Sequence, residues 1–124
     1  MSIFEDTAPR AVRHEPLRVA VLGASGSVGM QTLDVCRHFP QKVHVAALAV
    51  RSSVEFAVKA ATEFNCKYVA FADASVKGNA LLDSLPQGCK VSFGPEAVQA
   101  LAELDEVDCV VNAVVGEAGI YAGL

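Results

Sequence analysis

Short apolar runs recur along the chain, and segments with a helical spacing of apolar positions separate them. The runs predict strands at residues 17–22, 43–50, 68–72, 90–93 and 107–115. The segments between them predict helices at residues 27–38, 54–64, 75–85 and 95–104, and residues 116–124 would begin another. Strands that alternate with helices form parallel βαβ units with right-handed crossovers. The pattern therefore predicts an α/β fold, a Rossmann-like doubly wound parallel sheet in three αβα layers.

Residues 1–16 lie outside this pattern, because they carry scattered charged side chains and no apolar segment. We expect them to form a flexible N-terminal tail, followed by a single dinucleotide-binding domain at residues 17–124. The tail resembles neither a secretory signal nor a membrane anchor, and no apolar run reaches transmembrane length. These features predict a cytoplasmic protein without a membrane partner.

The composition supports a folded domain, since 52% of the residues are hydrophobic and 19% are charged. The net charge of −4 and the scattered basic residues argue against nucleic acid as a partner. The four cysteines show neither a C-x-x-C pair nor zinc-ligand spacing, which predicts buried, reduced thiols.

Candidate chemistry begins where the first apolar run ends in glycines at positions 23, 26 and 29. This spacing is typical of a phosphate-binding turn between a strand and a helix. Gly23 can adopt a positive φ, Gly26 lets the backbone approach a pyrophosphate, and Gly29 lets the helix pack closely on the strand. The free N–H groups of the helix start suit an anion, and Ser25 and Ser27 add hydroxyl donors. An isolated glycine triplet can also serve only as a structural turn.

The end of the second strand indicates which dinucleotide the turn would accept. NAD-specific domains place an acidic residue there, whereas this chain reads Arg51-Ser52-Ser53. An arginine and two hydroxyl groups can hold a 2′-phosphate, which points to NADP(H). The alternative is that Arg51 is a solvated loop residue.

The sequence offers no convincing catalytic or metal-binding group. Spacing gives the histidines at positions 14, 38 and 44 no nucleophile or carboxylate partner, and we interpret the acidic residues at 105–108 as solvated charges. The small residues at 112–116 suit either a cofactor passing over the sheet edge or a plain buried strand.

From Leu17 to Leu124 the chain resembles the 1-deoxy-D-xylulose 5-phosphate reductoisomerases. The glycine turn and its Thr-Leu-Asp continuation are the most specific part, and residues 54–106 match mainly in pattern. The stretches that carry the resemblance are 23–29 (GASGSVG), 32–35 (TLDV), 37–38 (RH), 45–48 (VAAL), 107–108 (VD) and 114–120 (VVGEAGI).

The resemblance implies the NADPH-binding domain of an enzyme of non-mevalonate isoprenoid biosynthesis. That enzyme rearranges and reduces 1-deoxy-D-xylulose 5-phosphate to 2-C-methyl-D-erythritol 4-phosphate, using NADPH and a divalent metal (Mg or Mn), as a homodimer. The residues matching the family's cofactor contacts are Ser25, Gly26, Ser27 and Val28 at the phosphates, Arg51, Ser52 and Ser53 at the adenosine phosphate, and Ala113 and Val114 at the nicotinamide.

Two departures from the family pattern stand out. The basic residue after the second strand comes one position early, at Arg51. The family's Asn-Lys-Glu segment, acidic metal ligands and lid have no counterpart in this sequence. The resemblance therefore implies that the catalytic and C-terminal domains are absent from this chain, which alone would be inactive.

The sequence leaves two alternative assignments. One is the N-terminal domain of another NADP-dependent reductase, such as a semialdehyde dehydrogenase, from which the Thr32-Leu33-Asp34 continuation distinguishes this chain. The other is a non-catalytic nucleotide-binding module.

Overall fold

The computed structural model describes residues 16–113. The predicted tail up to residue 15, Val114 and the predicted helix at 116–124 lie outside the described residues. The described strands are β1 (Leu17–Leu22), β2 (Val43–Val50), β3 (Tyr68–Phe71), β4 (Lys90–Phe93) and β5 (Cys109–Asn112). The described α-helices are α1 (Ser27–His38), α2 (Val54–Phe64) and α3 (Pro95–Leu101).

The helix predicted at 75–85 is wrong. Two short 3₁₀ helices occupy this segment, Ala74–Val76 and Ala80–Ser84. Gly78 between them has φ +95°, which no helix accommodates, and the Asn79 side chain accepts a hydrogen bond from the Leu81 N–H at 2.8 Å. Local side-chain capping therefore replaces the continuous helical ladder.

Two other predicted elements are shorter than expected. Helix α3 ends at Leu101 rather than at residue 104, because the N–H groups of residues 102–104 bond to carbonyls three positions back, in tightening turns. The last strand spans Cys109–Asn112 within the predicted 107–115, and the third strand ends at Phe71 rather than at residue 72.

The sheet is parallel throughout, with the strand order β4-β3-β2-β1-β5. The chain moves outward from β1 through β2, β3 and β4, and then returns to add β5 on the other side of β1. The strand order reverses at β1, so its carboxyl end lies at the topological switch point, where open α/β sheets bind ligands. This arrangement confirms the predicted fold class.

Helices cover both faces of the sheet, and each face has its own apolar core. Helices α1 and α2 pack on larger side chains such as Val21, Leu48 and Phe71, whereas Leu101 of α3 packs on a face rich in alanine. The register shifts between Val19 and Ala20 opposite β2. The extra residue in β2 keeps its larger side chains on one face, although their spacing along the sequence is irregular.

An ion pair at the amino end of the sheet holds β5 against β1. The Asp108 carboxylate accepts hydrogen bonds from the Arg18 backbone N–H at 2.9 Å and from its guanidinium Nε and Nη2, both at 3.2 Å. The Asp108 N–H in turn donates to the Arg18 carbonyl at 2.7 Å. These bonds fix the register in which the carboxyl ends of both strands reach the switch point.

Candidate functional site

The glycine turn after β1 is held against the end of the neighbouring strand. Gly23 has φ +79°, the left-handed conformation predicted from the sequence. The N–H groups of Gly23 and Ala24 both donate to the Ala49 carbonyl of β2 at 2.9 Å, and the Gly26 N–H donates to the Gly23 carbonyl at 3.1 Å. The turn is therefore part of the sheet edge and not an independent loop.

Helix α1 approaches this turn closely at Gly29. A Cβ built on Gly29 would lie 2.2 Å from the Gly23 carbonyl oxygen and 2.7 Å from the Ala24 Cα. Backbone atoms cannot yield as a flexible side chain can, so no other residue type fits without movement. The sequence correctly predicted close packing at Gly29, but the contact is with the turn that follows the strand.

The amino terminus of α1 opens beside the turn. Gly26 precedes the helix in an extended conformation (φ −81°, ψ 175°) and supplies no side-chain cap. The Met30 N–H bonds to the Gly26 carbonyl at 2.8 Å, which leaves the N–H groups of residues 27–29 without an acceptor inside the helix. Because the first turn of the helix contains no acidic residue, its partial positive charge is available to an anion.

The end of β2 lies on the same edge as the glycine turn, because Leu22 and Ala49 are register partners. Arg51, Ser52 and Ser53 follow directly and are all exposed. Ser53 precedes helix α2, and its side chain makes no capping hydrogen bond within the described part of the chain. The structure thus places an arginine and two serines at the same end of the sheet as the glycine turn after β1.

Strand β5 contributes to the other side of the turn. The Ala113 N–H donates to the Leu22 carbonyl at 2.8 Å, and Ala113 is 7% exposed. Eight of the nine predicted cofactor contacts therefore lie at one edge of the sheet, and Val114 falls outside the described residues. Their contact with a cofactor remains a prediction.

Asp73 also lies at this edge, although the sequence pattern did not indicate it. Its N–H donates to the Arg51 carbonyl at 2.9 Å, and its carboxylate accepts a hydrogen bond from the Ser75 N–H at 2.9 Å. The bonds from Ser75, and then the charge of Arg51, lower the pKa of the Asp73 carboxyl. Its position just after β3 was the available signal, since the carboxyl ends of adjacent parallel strands share one edge.

The acidic residues near 105–108 are not merely solvated charges, contrary to the sequence-based interpretation. Asp108 pairs with Arg18, as described above. Glu106 accepts a hydrogen bond from the Tyr68 hydroxyl at 2.5 Å, which raises the pKa of Tyr68. Both interactions lie at the amino end of the sheet and stabilise the fold there.

Other chemistry-bearing residues stand apart from this edge. The His38 Nδ1 lies 2.8 Å from the Asp34 carbonyl, and burial followed by the charge of Lys67 lowers the pKa of His44. The thiols at 36, 66 and 109 are buried as predicted, whereas Cys89 is partly exposed. Within residues 16–113, no three His, Cys, Asp or Glu side chains group as metal ligands would, and no helix is long and apolar enough to cross a membrane.

Comparison with known proteins identifies close relatives of this chain. The sequence profile of the 1-deoxy-D-xylulose 5-phosphate reductoisomerase family matches residues 19–124. The enzyme of that name from Photorhabdus laumondii is 42% identical over 110 residues, which are 86% of this chain and 27% of the relative. The enzyme from Thermodesulfovibrio yellowstonii is 38% identical over 103 residues, 83% of this chain and 26% of the relative.

Solved structures of the same enzyme are similar to this fold. The reductoisomerase from Zymomonas mobilis in complex with NADPH gives a TM-score of 0.75 at 32% identity, over 85% of this chain and 28% of the other. A DOX-P reductoisomerase in complex with magnesium gives a TM-score of 0.70 at 30% identity, over 83% of this chain and 26% of the other. The chain thus spans about a quarter of the length of the relatives that it matches.

Proposed function

The chain belongs to the 1-deoxy-D-xylulose 5-phosphate reductoisomerase family, and from that premise we propose that residues 17–124 form the NADPH-binding domain of such an enzyme. The complete enzyme would convert 1-deoxy-D-xylulose 5-phosphate to 2-C-methyl-D-erythritol 4-phosphate in isoprenoid biosynthesis. We further propose that it is a cytoplasmic homodimer. Family membership makes a semialdehyde dehydrogenase or a separate nucleotide-binding module the weaker assignment.

The observation that carries this proposal is the junction of Gly29 with the glycine turn. A Cβ added at Gly29 would lie only 2.2 Å from the Gly23 carbonyl oxygen, so the turn and the start of α1 form one compact backbone cradle. The free N–H groups of residues 27–29 open at that cradle, and Ser25 and Ser27 stand beside them. Such a cradle fits a pyrophosphate, which is doubly charged and accepts several hydrogen bonds.

The residues after β2 fit the 2′-phosphate that distinguishes NADPH from NADH. A guanidinium group forms strong charge-assisted hydrogen bonds with phosphate, and the exposed Arg51 can supply them. Ser52 and Ser53 would add hydroxyl donors. An acidic residue at the same place would repel this phosphate, which supports NADPH as the cofactor.

We assign the nicotinamide side to Ala113, directly after β5, and to Val114, the next residue in the sequence. Bound NADPH would supply a hydride to the substrate, and the role of this domain is to hold and orient it. We propose that another part of the complete enzyme would hold the divalent metal (Mg or Mn), as the family resemblance implies. The sugar-phosphate site would likewise lie outside this domain.

Fluorescence titration with NADPH and NADH tests the proposal. The chain should bind NADPH more tightly, and Arg51→Ala should weaken NADPH binding by about ten- to a hundredfold, from the usual strength of hydrogen bonds to charged groups. NADH binding should change little. Lys42→Ala, which removes an exposed cation before β2 at the opposite edge of the sheet, is the matched control. Equal affinity for the two cofactors in the parent chain would refute the assignment.

A further inference from the structure

Asp73 is fixed to the residue that the proposed function assigns to the 2′-phosphate. Beyond the end of β3, the Ala72 N–H donates to the Val50 carbonyl and the Asp73 N–H donates to the Arg51 carbonyl, both at 2.9 Å. These bonds keep the segment after β3 beside the segment after β2. Asp73 and Arg51 are therefore backbone neighbours at the carboxyl edge of the sheet.

The Asp73 carboxylate is also held in one place and charged. Its Oδ1 accepts a hydrogen bond from the Ser75 N–H at 2.9 Å, which begins the 3₁₀ helix Ala74–Val76. That bonding, and then the positive charge of Arg51, lowers the pKa of the carboxyl and so favours its charged form. A fixed negative charge thus lies on the backbone neighbour of the residue that carries the exposed guanidinium.

We propose that Asp73 is a specificity-determining residue that limits the preference for NADPH over NADH by attracting the guanidinium of its backbone neighbour Arg51. The inference rests on the proposed function, because it concerns the same guanidinium. A 2′-phosphate must compete with the Asp73 carboxylate for Arg51. NADH has no phosphate at this position and meets no such competition.

Asp73→Asn tests the proposal, because asparagine keeps an acceptor for the Ser75 N–H and removes only the charge. We expect NADPH to bind about two- to fivefold more tightly, the range typical of an exposed charge pair, while NADH binding is unchanged. The gain should shrink between about 0.05 M and about 0.5 M salt, since screening weakens exposed charges. Asp105→Asn is the control, because it removes one exposed negative charge that precedes β5 at the amino end of the sheet. It should leave the affinities for NADPH and NADH unchanged.

A double-mutant cycle separates an effect through Arg51 from a general change of charge. In the Arg51→Ala background, Asp73→Asn should give no gain in NADPH affinity. The proposal is overturned if Asp73→Asn does not tighten NADPH binding, if it changes both cofactors equally, or if the gain persists without Arg51. If Arg51→Ala weakens NADPH binding as expected but Asp73→Asn leaves it unchanged, only this inference is overturned. A parent chain that does not bind NADPH overturns the proposed function as well.

Discussion

Replacing Gly29 with alanine should damage both the stability of this domain and its cofactor site. The new Cβ would lie 2.2 Å from the Gly23 carbonyl oxygen, whereas ordinary contact begins at 3.4 Å. Helix α1 and the turn must therefore separate by roughly 1 Å. Overpacking of this kind costs about 1–3 kcal/mol, and the better helix propensity of alanine returns up to about 1 kcal/mol.

We expect a net loss of about 1–2 kcal/mol in the free energy of unfolding. With the urea dependence usual for small domains, the unfolding midpoint should fall by about 1 M. The same displacement moves the N–H groups of the helix start away from the turn. NADPH binding should therefore weaken at least about tenfold, because each hydrogen bond to a charged group is worth about 1.5–3 kcal/mol.

Gly88→Ala is the matched control, since Gly88 has φ +87° and an added Cβ there meets no described atom within 4 Å. Strain in the left-handed region costs about 1–2 kcal/mol. Gly88→Ala should therefore lower the free energy of unfolding about as much as Gly29→Ala does, but without a steric clash. Gly88 lies before β4, at the amino edge, and NADPH affinity should be retained. Urea unfolding and NADPH titration of both variants decide the matter. A Gly29→Ala chain with unchanged midpoint and affinity would refute the reasoning.

Three further outcomes are expected. Gly26→Val should abolish NADPH binding, because a branched side chain would fill the pyrophosphate position. The circular dichroism spectrum should stay near that of the parent, since the Gly26 φ of −81° and ψ of 175° suit any residue. Unchanged affinity would mean that the turn is purely structural. Ellman's reagent at pH 8 should modify at most Cys89 in the native chain and all four thiols in urea, because burial raises the pKa of Cys36 to about 12 and also raises the pKa of Cys66 and Cys89. The chain alone should not oxidise NADPH in the presence of 1-deoxy-D-xylulose 5-phosphate and magnesium or manganese, and turnover would contradict our placement of the metal and substrate sites.

Elements with strong local signals followed from the sequence. The strands at 17–22 and 43–50 and the helices at 27–38 and 54–64 have the predicted bounds, because apolar period and chain-breaking residues agree there. The segment 75–85 shows the opposite case. Its apolar spacing fits a helix, but Gly78 and the capping side chain of Asn79 favour two separate turns.

The sequence by itself determined the residue types of the site: the three glycines, the helix start and the arginine with two serines after the second strand. The positive φ of a glycine, the free N–H groups of a helix start and the hydroxyl groups of serines are properties of single residues and their near neighbours. Only the tertiary structure decided which distant groups meet. The Gly29 contact with the turn requires α1 to fold back onto it, and the neighbourhood of Arg51 and Asp73 requires β2 and β3 to pair. Contacts between strands depend on their register, and the register of β1 and β2 shifts between Val19 and Ala20. The sequence does not indicate this shift, because residues of every type form the same backbone hydrogen bonds.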